Sequence, residues 1–504
     1  MDTKKLLCFV LSTLSIAFLA VPLFACRGET GQDQTNTDVS EARPNDGGEN
    51  AAPEDNAADR ANRKDSLPDG LDFKGAEYRV LNRSDDDFNT IEFVETEIGE
   101  VVNDAIYRRQ KSVEGRLNVS IVPVSIPGDW SNKDKFLSRL KSSVNAGDDE
   151  FDVVAAYAYY ITPFMLEGYF ANFDKIPYID YEKPWWPDSI TQHLKIGNKL
   201  YFVTGDYTLS LTKALWCFAY NKKVAQDFDV PNLYELVFDG AWTFDEYAKI
   251  TKSVSKDVNG DGKWGMEDIY GLASRSYDVY FPAFQLPMTE TKSDGTLSLA
   301  VYNEKFVSAF DKLYELAHDV SSYPPNVLAG DDTIERTLFV NDKVLFLSVL
   351  LRYCEALRGM PSDFGIVPFP KYDLAQDSYY TVSHDEYSLL CVPATADPAK
   401  YQMIGAVTEA VAAEGYRTVT PAYFDIALKN KYSRDDESSR VLDILAERNT
   451  FQPAIIYSSS LGDIGHLLRG IIYGNQNIVS DYEKKARTYE KAFEKFNEKY
   501  AELD

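Results

Sequence analysis

Residues 146–155 read Ala-Gly-Asp-Asp-Glu-Phe-Asp-Val-Val-Ala, and this stretch decides the fold. A turn rich in Gly and Asp leads into the short apolar run Phe151–Ala155, which is typical of a buried strand in a parallel sheet. The residues before it, Lys133–Asn145, repeat apolar side chains at helical spacing and predict an amphipathic helix. Upstream, the pattern predicts two more strands, over Ala76–Leu81 and Val119–Val124. A helix over Val102–Leu117 is predicted between them. This alternation predicts an α/β lobe with a parallel sheet.

A second set of strands and helices begins at Leu215-Trp-Cys-Phe-Ala-Tyr220. Thr243 and Glu246 have the spacing of a capping box and predict a helix that continues through Ile250. Tyr302–His318 is predicted to form another helix. Three further strands are predicted to return the chain toward the first lobe, over Val344–Leu351, Phe364–Pro368 and Tyr387–Val392.

The chain ends in a predicted amphipathic helix over Asp481–Tyr500, and its single apolar stripe is expected to dock on the second lobe. The part of the chain after residue 70 is longer than one hydrophobic core usually serves. Two or three domains are therefore expected.

The 504-residue chain is strongly acidic, with 52 Lys and Arg against 79 Asp and Glu and a formal charge of −27. That charge argues against nucleic acid or an anionic membrane surface as a partner. Cys217, Cys354 and Cys391 sit in apolar surroundings, where the default role is a small buried side chain. Three such cysteines permit at most one disulfide.

The N-terminus has the parts of a secretory signal over residues 1–26. Lys4 and Lys5 precede an apolar run from Leu6 to Phe24, and Ala25 stands directly before Cys26. Cys26 in this position resembles a bacterial lipobox, in which the thiol is lipidated and becomes the mature N-terminus. The alternative is a plain N-terminal membrane anchor, because the run is nearly long enough to span a bilayer. Either way, the chain is expected at the outer face of a membrane.

The segment over residues 27–70 is rich in Asp, Glu, Asn, Gly, Ala and Pro and nearly empty of large apolar residues. Such a composition cannot bury enough surface to fold. Like charges extend a flexible chain. We therefore expect a disordered acidic tether between a lipidated Cys26 and the globular part.

Residues 257–268 have the spacing of an EF-hand-type calcium loop. Side-chain oxygens stand at the first, third and fifth positions, a carbonyl at the seventh and an acid at the twelfth; these are Asp257, Asn259, Asp261, Lys263 and Asp268. Hard oxygen ligands on a tight turn favour Ca²⁺ over zinc or copper. A structural Ca²⁺ is therefore predicted. The alternative is a surface turn without a metal, and the short Asp268 leaves the usual bidentate contact in doubt.

Several motifs together resemble the family 1 extracellular solute-binding proteins of sugar importers. They are Phe151-Asp-Val-Val after its turn, Ala219-Tyr-Asn-Lys-Lys223, Gly240-Ala-Trp-Thr-Phe-Asp-Glu246, Asn259-Gly-Asp-Gly262 before Tyr270-Gly-Leu272, and Asp363-Phe-Gly-Ile-Val-Pro-Phe-Pro-Lys-Tyr372. Each motif is only moderately specific, and the resemblance spans most of residues 72 to 450. It implies the two-lobed α/β architecture of periplasmic binding proteins of type II, with ligand trapped as the lobes close about a hinge.

The resemblance also implies how the chain is divided between the lobes. The first lobe would comprise residues 71–210 and 365–400, and the second residues 211–364 and 401–504 with the C-terminal helices. The chain would cross between the lobes near Thr204–Leu215, Phe364–Lys371 and Thr395–Tyr401.

A carbohydrate offers apolar ring faces and hydroxyl edges, which aromatic rings and charged or amide side chains bind. Such groups converge after strand ends and at hinges. The candidate ligand-binding residues are Tyr157, Tyr159, Tyr160, Asp206, Tyr207, Trp216, Arg352, His384 and Asp385, with Trp185 and Trp186 as weaker candidates. The alternative for each aromatic residue is a place in the core.

The expected function is that of a lipid-anchored solute-binding protein that delivers an oligosaccharide to an ABC permease without chemical turnover. A secreted glycoside hydrolase or lyase is one alternative, although 79 acids always offer a carboxylate pair. A peptide-binding lipoprotein and a surface scaffold are the others. The sequence contains no nucleophile elbow, zinc-protease motif or phosphate loop.

Overall fold

The computed structural model describes residues 57–84, 91–187, 193–331, 333–357, 359–424, 436–474 and 477–503. They belong to one compact unit that contains two four-stranded sheets. The predictions for the signal peptide, for Cys26 and for the tether up to residue 56 lie outside these residues. Among the described helices, none combines the length and apolar character that a bilayer crossing requires.

The strands are β1 Ala76–Arg83, β2 Val119–Ile126, β3 Val153–Tyr157, β4 Trp216–Asn221, β5 Tyr270–Ala273, β6 Thr289–Thr291, β7 Leu297–Leu299, β8 Val344–Leu350, β9 Phe364–Val367 and β10 Ser388–Cys391. The α-helices are α1 Ala57–Asn62, α2 Val101–Leu117, α3 Lys133–Ala146, α4 Ala158–Met165, α5 Ser210–Lys213, α6 Lys222–Asp227, α7 Leu233–Phe238, α8 Phe244–Ser253, α9 Tyr280–Ala283, α10 Glu304–Ala317, α11 Pro325–Leu328, α12 Ile334–Val340, α13 Leu351–Leu357, α14 Tyr401–Glu414, α15 Asp436–Glu447, α16 Pro453–Ile456, α17 Leu467–Tyr473 and α18 Ile478–Glu502. Short 3₁₀ turns and a π-helical turn over Gly415–Val419 complete the list.

The first sheet has the order β10-β3-β1-β2. Strand β1 runs parallel to β2 and to β3, while β10 is antiparallel to β3. All five residues of β3 are buried, as expected for a strand covered on both faces. Helix α3 ends at Gly147, whose positive φ of 65° suits a residue without a side chain. The predicted α/β lobe with a parallel core is therefore confirmed.

The second sheet has the order β5-β8-β4-β9. Strand β4 is antiparallel to β8 and β9, and β5 is parallel to β8. The prediction that the strands now seen as β8 and β9 return toward the first lobe is therefore wrong. Strand β9 is apolar throughout and β8 is apolar except for Ser348, so their sequences do not indicate which sheet they join.

The chain passes between the sheets along two paired segments. Val203 bridges to Leu390 of β10 and Trp216 begins β4, so residues 204–215 form the first crossing. The second crossing follows Tyr379 rather than lying at Phe364–Lys371, because β9 pairs with β4 and Lys371 bridges to Thr243. Ala214 accepts a hydrogen bond from the His384 amide at 2.8 Å, and Leu215 bridges to Ser383.

Helix α14 packs on the first lobe, although the resemblance placed residues after 400 on the second. The Thr408 hydroxyl lies 2.8 Å from that of Tyr78 in β1. Glu409 accepts hydrogen bonds from the indole nitrogens of Trp185 and Trp186 at 3.0 and 2.8 Å. The chain has returned to the second lobe by α15, where Ser438 accepts a hydrogen bond from the Ile366 amide of β9.

The C-terminal helix α18 contacts both lobes, and not only the second. The Asn497 amide donates to the carbonyl of Leu297 in the β6–β7 hairpin of the second lobe. One turn later, the Tyr500 hydroxyl donates to the carbonyl of Lys199, next to a segment held by the first lobe. The predicted apolar stripe is present, with Tyr489, Phe493 and Tyr500 buried along it.

The folded part begins earlier than the predicted end of the tether at residue 70. Asp65 forms a bidentate ion pair with Arg116, whose two Nη atoms lie 2.6 and 2.8 Å from the carboxylate oxygens. Leu67 is buried, and the Arg60 guanidinium lies over the Tyr416 ring. Composition did not indicate that residues 57–70 are folded, because a few specific contacts hold them to the first lobe and a run of apolar residues does not.

Two smaller predictions concern a helix cap and the cysteines. Helix α8 starts after Thr243, but the Thr243 side chain makes no capping hydrogen bond, and the Phe244 amide donates to the Lys371 carbonyl instead. Cys217, Cys354 and Cys391 are buried, as predicted. All three are free thiols, which the sequence had left open.

Candidate ligand-binding cleft

A cavity of about 430 Å³ lies between the two sheets. The first lobe contributes Trp130 and Tyr157, and the second crossing contributes His384 and Glu386. Trp216, the first residue of β4, also lines the cavity. The second lobe supplies the opposite wall through Arg275, Ser276, Glu335, Arg336, Leu347, Ser348, Val349, Leu350, Arg352 and Tyr353, and helix α17 adds Arg469 and Tyr473. Because both lobes and the second crossing line it, we call this cavity the cleft.

Aromatic rings form the first-lobe side of the cleft. Tyr157 is the last residue of β3, and the Trp130 ring centroid lies 6.4 Å from that of Tyr157 and 5.7 Å from that of Tyr159. Trp130 is 51% exposed, which leaves much of its surface available to a ligand. The Lys133 ammonium sits 4.5 Å from the Trp130 ring centroid. The side therefore offers indole and phenol faces at the carboxyl ends of β2 and β3.

Arginine–carboxylate pairs form the other side of the cleft. Arg352, at the start of α13, forms a buried ion pair with Glu386, in which Nη2 lies 3.0 Å from Oε2. Arg275 lies 3.6 Å from Glu335, and Arg469 Nε lies 3.2 Å from Asp278. Paired groups of this kind can donate to and accept from hydroxyl groups.

A smaller cavity adjoins the cleft and shares Trp216, Arg275 and His384 with it. It is also lined by Asp385, one carboxylate oxygen of which lies 3.4 Å from His466 Nε2. Burial lowers the pKa of His384 to about 4, so its imidazole is uncharged at neutral pH. Burial works against ionisation of Asp385, but His384, His466 and Arg469 outweigh it and lower its pKa to about 2.

The structure brings five of the predicted ligand-binding residues together. Tyr157, Trp216, Arg352 and His384 line the cleft, and Asp385 lines the adjoining cavity. Tyr159 lies at the edge, where its hydroxyl donates to Asp463 at 2.6 Å and its ring stacks on His466.

The other candidates lie elsewhere. Tyr160 is buried, and its hydroxyl donates a hydrogen bond to the Gly128 carbonyl. Tyr207 is fully buried, and its hydroxyl oxygen lies 3.4 Å from that of Tyr78. Asp206 faces a separate cavity of about 440 Å³ and accepts a hydrogen bond from Thr420. Burial raises the pKa of Asp206 to about 6. The weaker candidates Trp185 and Trp186 are also buried, and the indole nitrogens of both donate hydrogen bonds to Glu409.

Sequence reasoning missed much of the cleft. Trp130 follows the strand that ends at Ile126, so the rule that selected Tyr157 would have found it. Arg275 and Ser276 likewise follow the end of β5. Glu335, Arg336 and Arg469 lie on short helices, and nothing in their local sequence distinguishes them from surface charges.

The predicted calcium loop is held by its own hydrogen bonds. Asp257 accepts from the amides of Gly260 and Gly262, and the buried Asp268 accepts from those of Val258 and Gly265. Asp261 is exposed and accepts from the Lys263 amide. Across the described part of the chain, no three His, Cys, Asp or Glu side chains come together as ligands of one ion would. Calcium binding stays a prediction.

Solved structures with the same fold are numerous. A sugar transporter from Rhizobium etli in an open conformation is 14% identical, with a TM-score of 0.55 and coverage of 85% of this chain and 100% of that one. A cyclo/maltodextrin-binding protein complexed with maltotetraose is 17% identical, with a TM-score of 0.53 and coverage of 85% and 97%. An ABC substrate-binding protein from Listeria monocytogenes in complex with cycloalternan is 12% identical, with a TM-score of 0.51 and coverage of 84% and 99%.

At these identities the likeness shows the fold alone, which is the two-lobed architecture implied by the sequence. A comparison with curated proteins gives no match. A family profile described as bacterial extracellular solute-binding protein matches residues 130–421, which is more than half of the chain. The matched range includes the first-lobe wall, both crossings and most of the second-lobe wall of the cleft. The chain belongs to the bacterial extracellular solute-binding protein family.

Proposed function

We propose that this protein captures an oligosaccharide in the cleft by lobe closure and delivers it to an ABC permease, without chemical turnover. The observation that carries the proposal is the lining of the cleft, which combines aromatic faces from the first lobe with arginine–carboxylate pairs on the opposite side. Solved neighbours described as sugar-binding or sugar-transport proteins agree with it.

The chemistry of the walls suits a sugar. The apolar face of a pyranose ring packs against indole or phenol rings, as offered by Trp130, Tyr157 and Trp216. Sugar hydroxyl groups both donate and accept, and they would meet Arg352 with Glu386 and Arg275 with Glu335. A volume of about 430 Å³ is within the range of small-ligand sites.

Lobe closure follows from where the cleft lies. The crossings pair at Leu215 and Ser383, between the sheets, and the walls on either side belong to different lobes. A ligand that contacts both walls gains contacts as the lobes approach. It therefore shifts the population toward the closed form by its differential affinity for that form.

The location of the protein is part of the proposal. The signal sequence and Cys26 support attachment to the outer face of a membrane by a lipid, with the acidic segment as a spacer. A tethered receptor would hand its ligand to a permease in the same membrane.

A saccharide panel tests the proposal. We expect one class of oligosaccharide to raise the thermal midpoint, to bind in calorimetry and to reduce the radius of gyration in solution scattering, while remaining intact by chromatography. Trp130→Ala should weaken binding by about tenfold or more, as loss of an aromatic face does. Trp264→Ala is the matched control, because Trp264 is 39% exposed but lies outside the cleft.

Two results would contradict the proposal. Breakdown of the bound saccharide would favour a hydrolase or lyase, and binding of peptides in place of sugars would change the ligand class. Equal losses in the Trp130 and Trp264 variants would move the site out of the cleft.

A further inference from the structure

Two guanidinium groups share one aromatic ring in the second-lobe wall of the cleft. The Cζ atom of Arg352 lies 4.7 Å from the ring centroid of Tyr353, and that of Arg336 lies 4.9 Å from the same centroid. Arg336 comes from helix α12 and Arg352 from α13, so two separate elements bring the charges together. All three residues line the cleft.

Only one of these two arginines forms an ion pair with an acid in the described part of the chain. Arg352 pairs with Glu386, and the neighbouring Arg275 pairs with Glu335. Arg336 forms no ion pair with any described residue. The exposed Asp331 accepts hydrogen bonds from Thr333, at 2.9 and 2.7 Å. These bonds lower the pKa of Asp331, with a smaller contribution from attraction to Arg275 and Arg336 at longer range.

Three of the four arginines that line the cleft are matched by an acid. Arg275 pairs with Glu335, Arg352 with Glu386, and Arg469 with Asp278 of the adjoining cavity, so Arg336 is left without an ion pair among the described residues. Two guanidinium groups near one ring repel each other, and the repulsion is stronger in a partly enclosed site than in water. An anion placed between them would relieve it.

The donor inventory also favours an anion over a neutral hydroxyl. A guanidinium can only donate, and its planar fork matches the two oxygens of a carboxylate or sulfate. Ser276, which is 6% exposed, adds a buried hydroxyl on the cleft wall whose oxygen has no hydrogen-bond partner among the described residues. A ligand carrying both an acidic group and hydroxyls would use both kinds of side chain.

We propose that the cleft selects an anionic saccharide, whose carboxylate or sulfate group binds Arg336 beside Arg352 on the Tyr353 ring. The proposal rests on the proposed function, because it names the class of sugar that the same cleft would take. Aromatic faces of the first lobe would hold the sugar rings, and the arginine pair would hold the acidic group.

Calorimetry on the full chain tests this with four probes of equal length: a neutral gluco-oligosaccharide, an oligouronate, a sulfated oligosaccharide and a neutral methyl ester of the oligouronate. We expect one acidic probe to bind at least about tenfold more tightly than the neutral probes. That affinity should fall as NaCl rises from 20 to 500 mM, because salt screens the charges. Comparison of the two acidic probes identifies a carboxylate or a sulfate as the recognised group.

Arg336→Gln should remove the preference for the acidic probe, so that the acidic and neutral probes bind with similar affinity. Arg336→Lys keeps the charge but loses the fork and should restore the preference in part. Arg440→Gln is the matched control, because Arg440 also lies over an aromatic ring, that of Phe238, but outside the cleft. The unliganded thermal midpoint of each variant reports whether it folds.

The outcomes separate this proposal from the one on which it rests. If neutral probes bind as tightly as acidic ones, or if Arg336→Gln keeps the preference, the anionic ligand is refuted while sugar capture stands. If no saccharide of either kind binds, both proposals are refuted.

Discussion

Arg352 and Glu386 form a buried ion pair that joins the two lobes across the cleft. Arg352 begins α13, directly after β8 of the second sheet, and Glu386 lies two residues before β10 of the first. The side chains are 7% and 4% exposed. The pair also borders the cleft, so the position of the ligand and the relative position of the lobes depend on the same two groups.

Glu386→Gln should destabilise the protein strongly. It leaves the Arg352 guanidinium buried without its countercharge, which typically costs about 3–5 kcal/mol. Urea unfolding at pH 7 measures the effect. Asp227→Asn is the control, because Asp227 pairs with Lys223 on the surface, where both side chains are about half exposed, and no measurable change is expected. Equal stability of the two variants would mean that the buried pair contributes nothing.

Stability should fall as pH rises from about 4.5 to 7 through the titration of Glu409. Burial raises the pKa of Glu409 from 4.5 to about 7. The folded state therefore favours protonated Glu409, whereas the unfolded chain loses this proton above its own, lower pKa. As the pH rises between the two pKa values, the free energy of unfolding falls by up to about 3 kcal/mol. Glu409→Gln should flatten the dependence of the free energy of unfolding on pH between these values. An unchanged slope would assign the dependence to other groups.

If the loop binds calcium, substitution of two of its acids, Asp268 and Asp261, should change the thermal midpoint in different ways. Asp268 is buried and accepts two backbone hydrogen bonds, so Asp268→Asn should lower the thermal midpoint with calcium and with chelator alike. Exposed Asp261 accepts one, so Asp261→Asn should lower the midpoint only when calcium is present. If calcium does not raise the midpoint of the unsubstituted protein, the loop is a turn without a metal.

Lipidation predicts a specific change in cell fractionation. Cys26→Ala should release the protein from the membrane fraction or leave its signal uncleaved, and intact mass should lack the lipid. Cys8→Ala is the control, because Cys8 lies inside the predicted signal and should have no effect. The plain anchor would be favoured by two results together. The Cys26→Ala variant would stay in the membrane fraction, and the unsubstituted protein would keep its signal uncleaved.

The sequence predicts those parts of the fold that local patterns determine. The strand over Val153–Tyr157 and the helix before it follow from apolar runs and helical spacing, and both are present. The sheet to which β9 belongs could not be predicted, because a strand that is apolar throughout carries no information about its neighbours. Helix α14 is nearly as uniform, with most of its residues buried, so its sequence does not indicate the lobe on which it packs.

The candidate cleft was predicted in part for the same kind of reason. A strand end points to one edge of a sheet, and this selected Tyr157 correctly as a cleft residue. Position at a crossing selected Asp206 as well, but the direction of its side chain depends on Thr420, over two hundred residues later. The place of Arg336 likewise depends on a contact between separate elements, since its ring partner Tyr353 lies on another helix.

The attachment of helix α18 to both lobes has a consequence for how the molecule is made. Its two bonds, from Asn497 to Leu297 and from Tyr500 to Lys199, lie within one helical turn near the end of the chain. Synthesis proceeds from the N-terminus, so Asn497 and Tyr500 are made after both of the segments that they join, around Lys199 and Leu297. The two halves therefore cannot be fastened along this edge until helix α18 has been made.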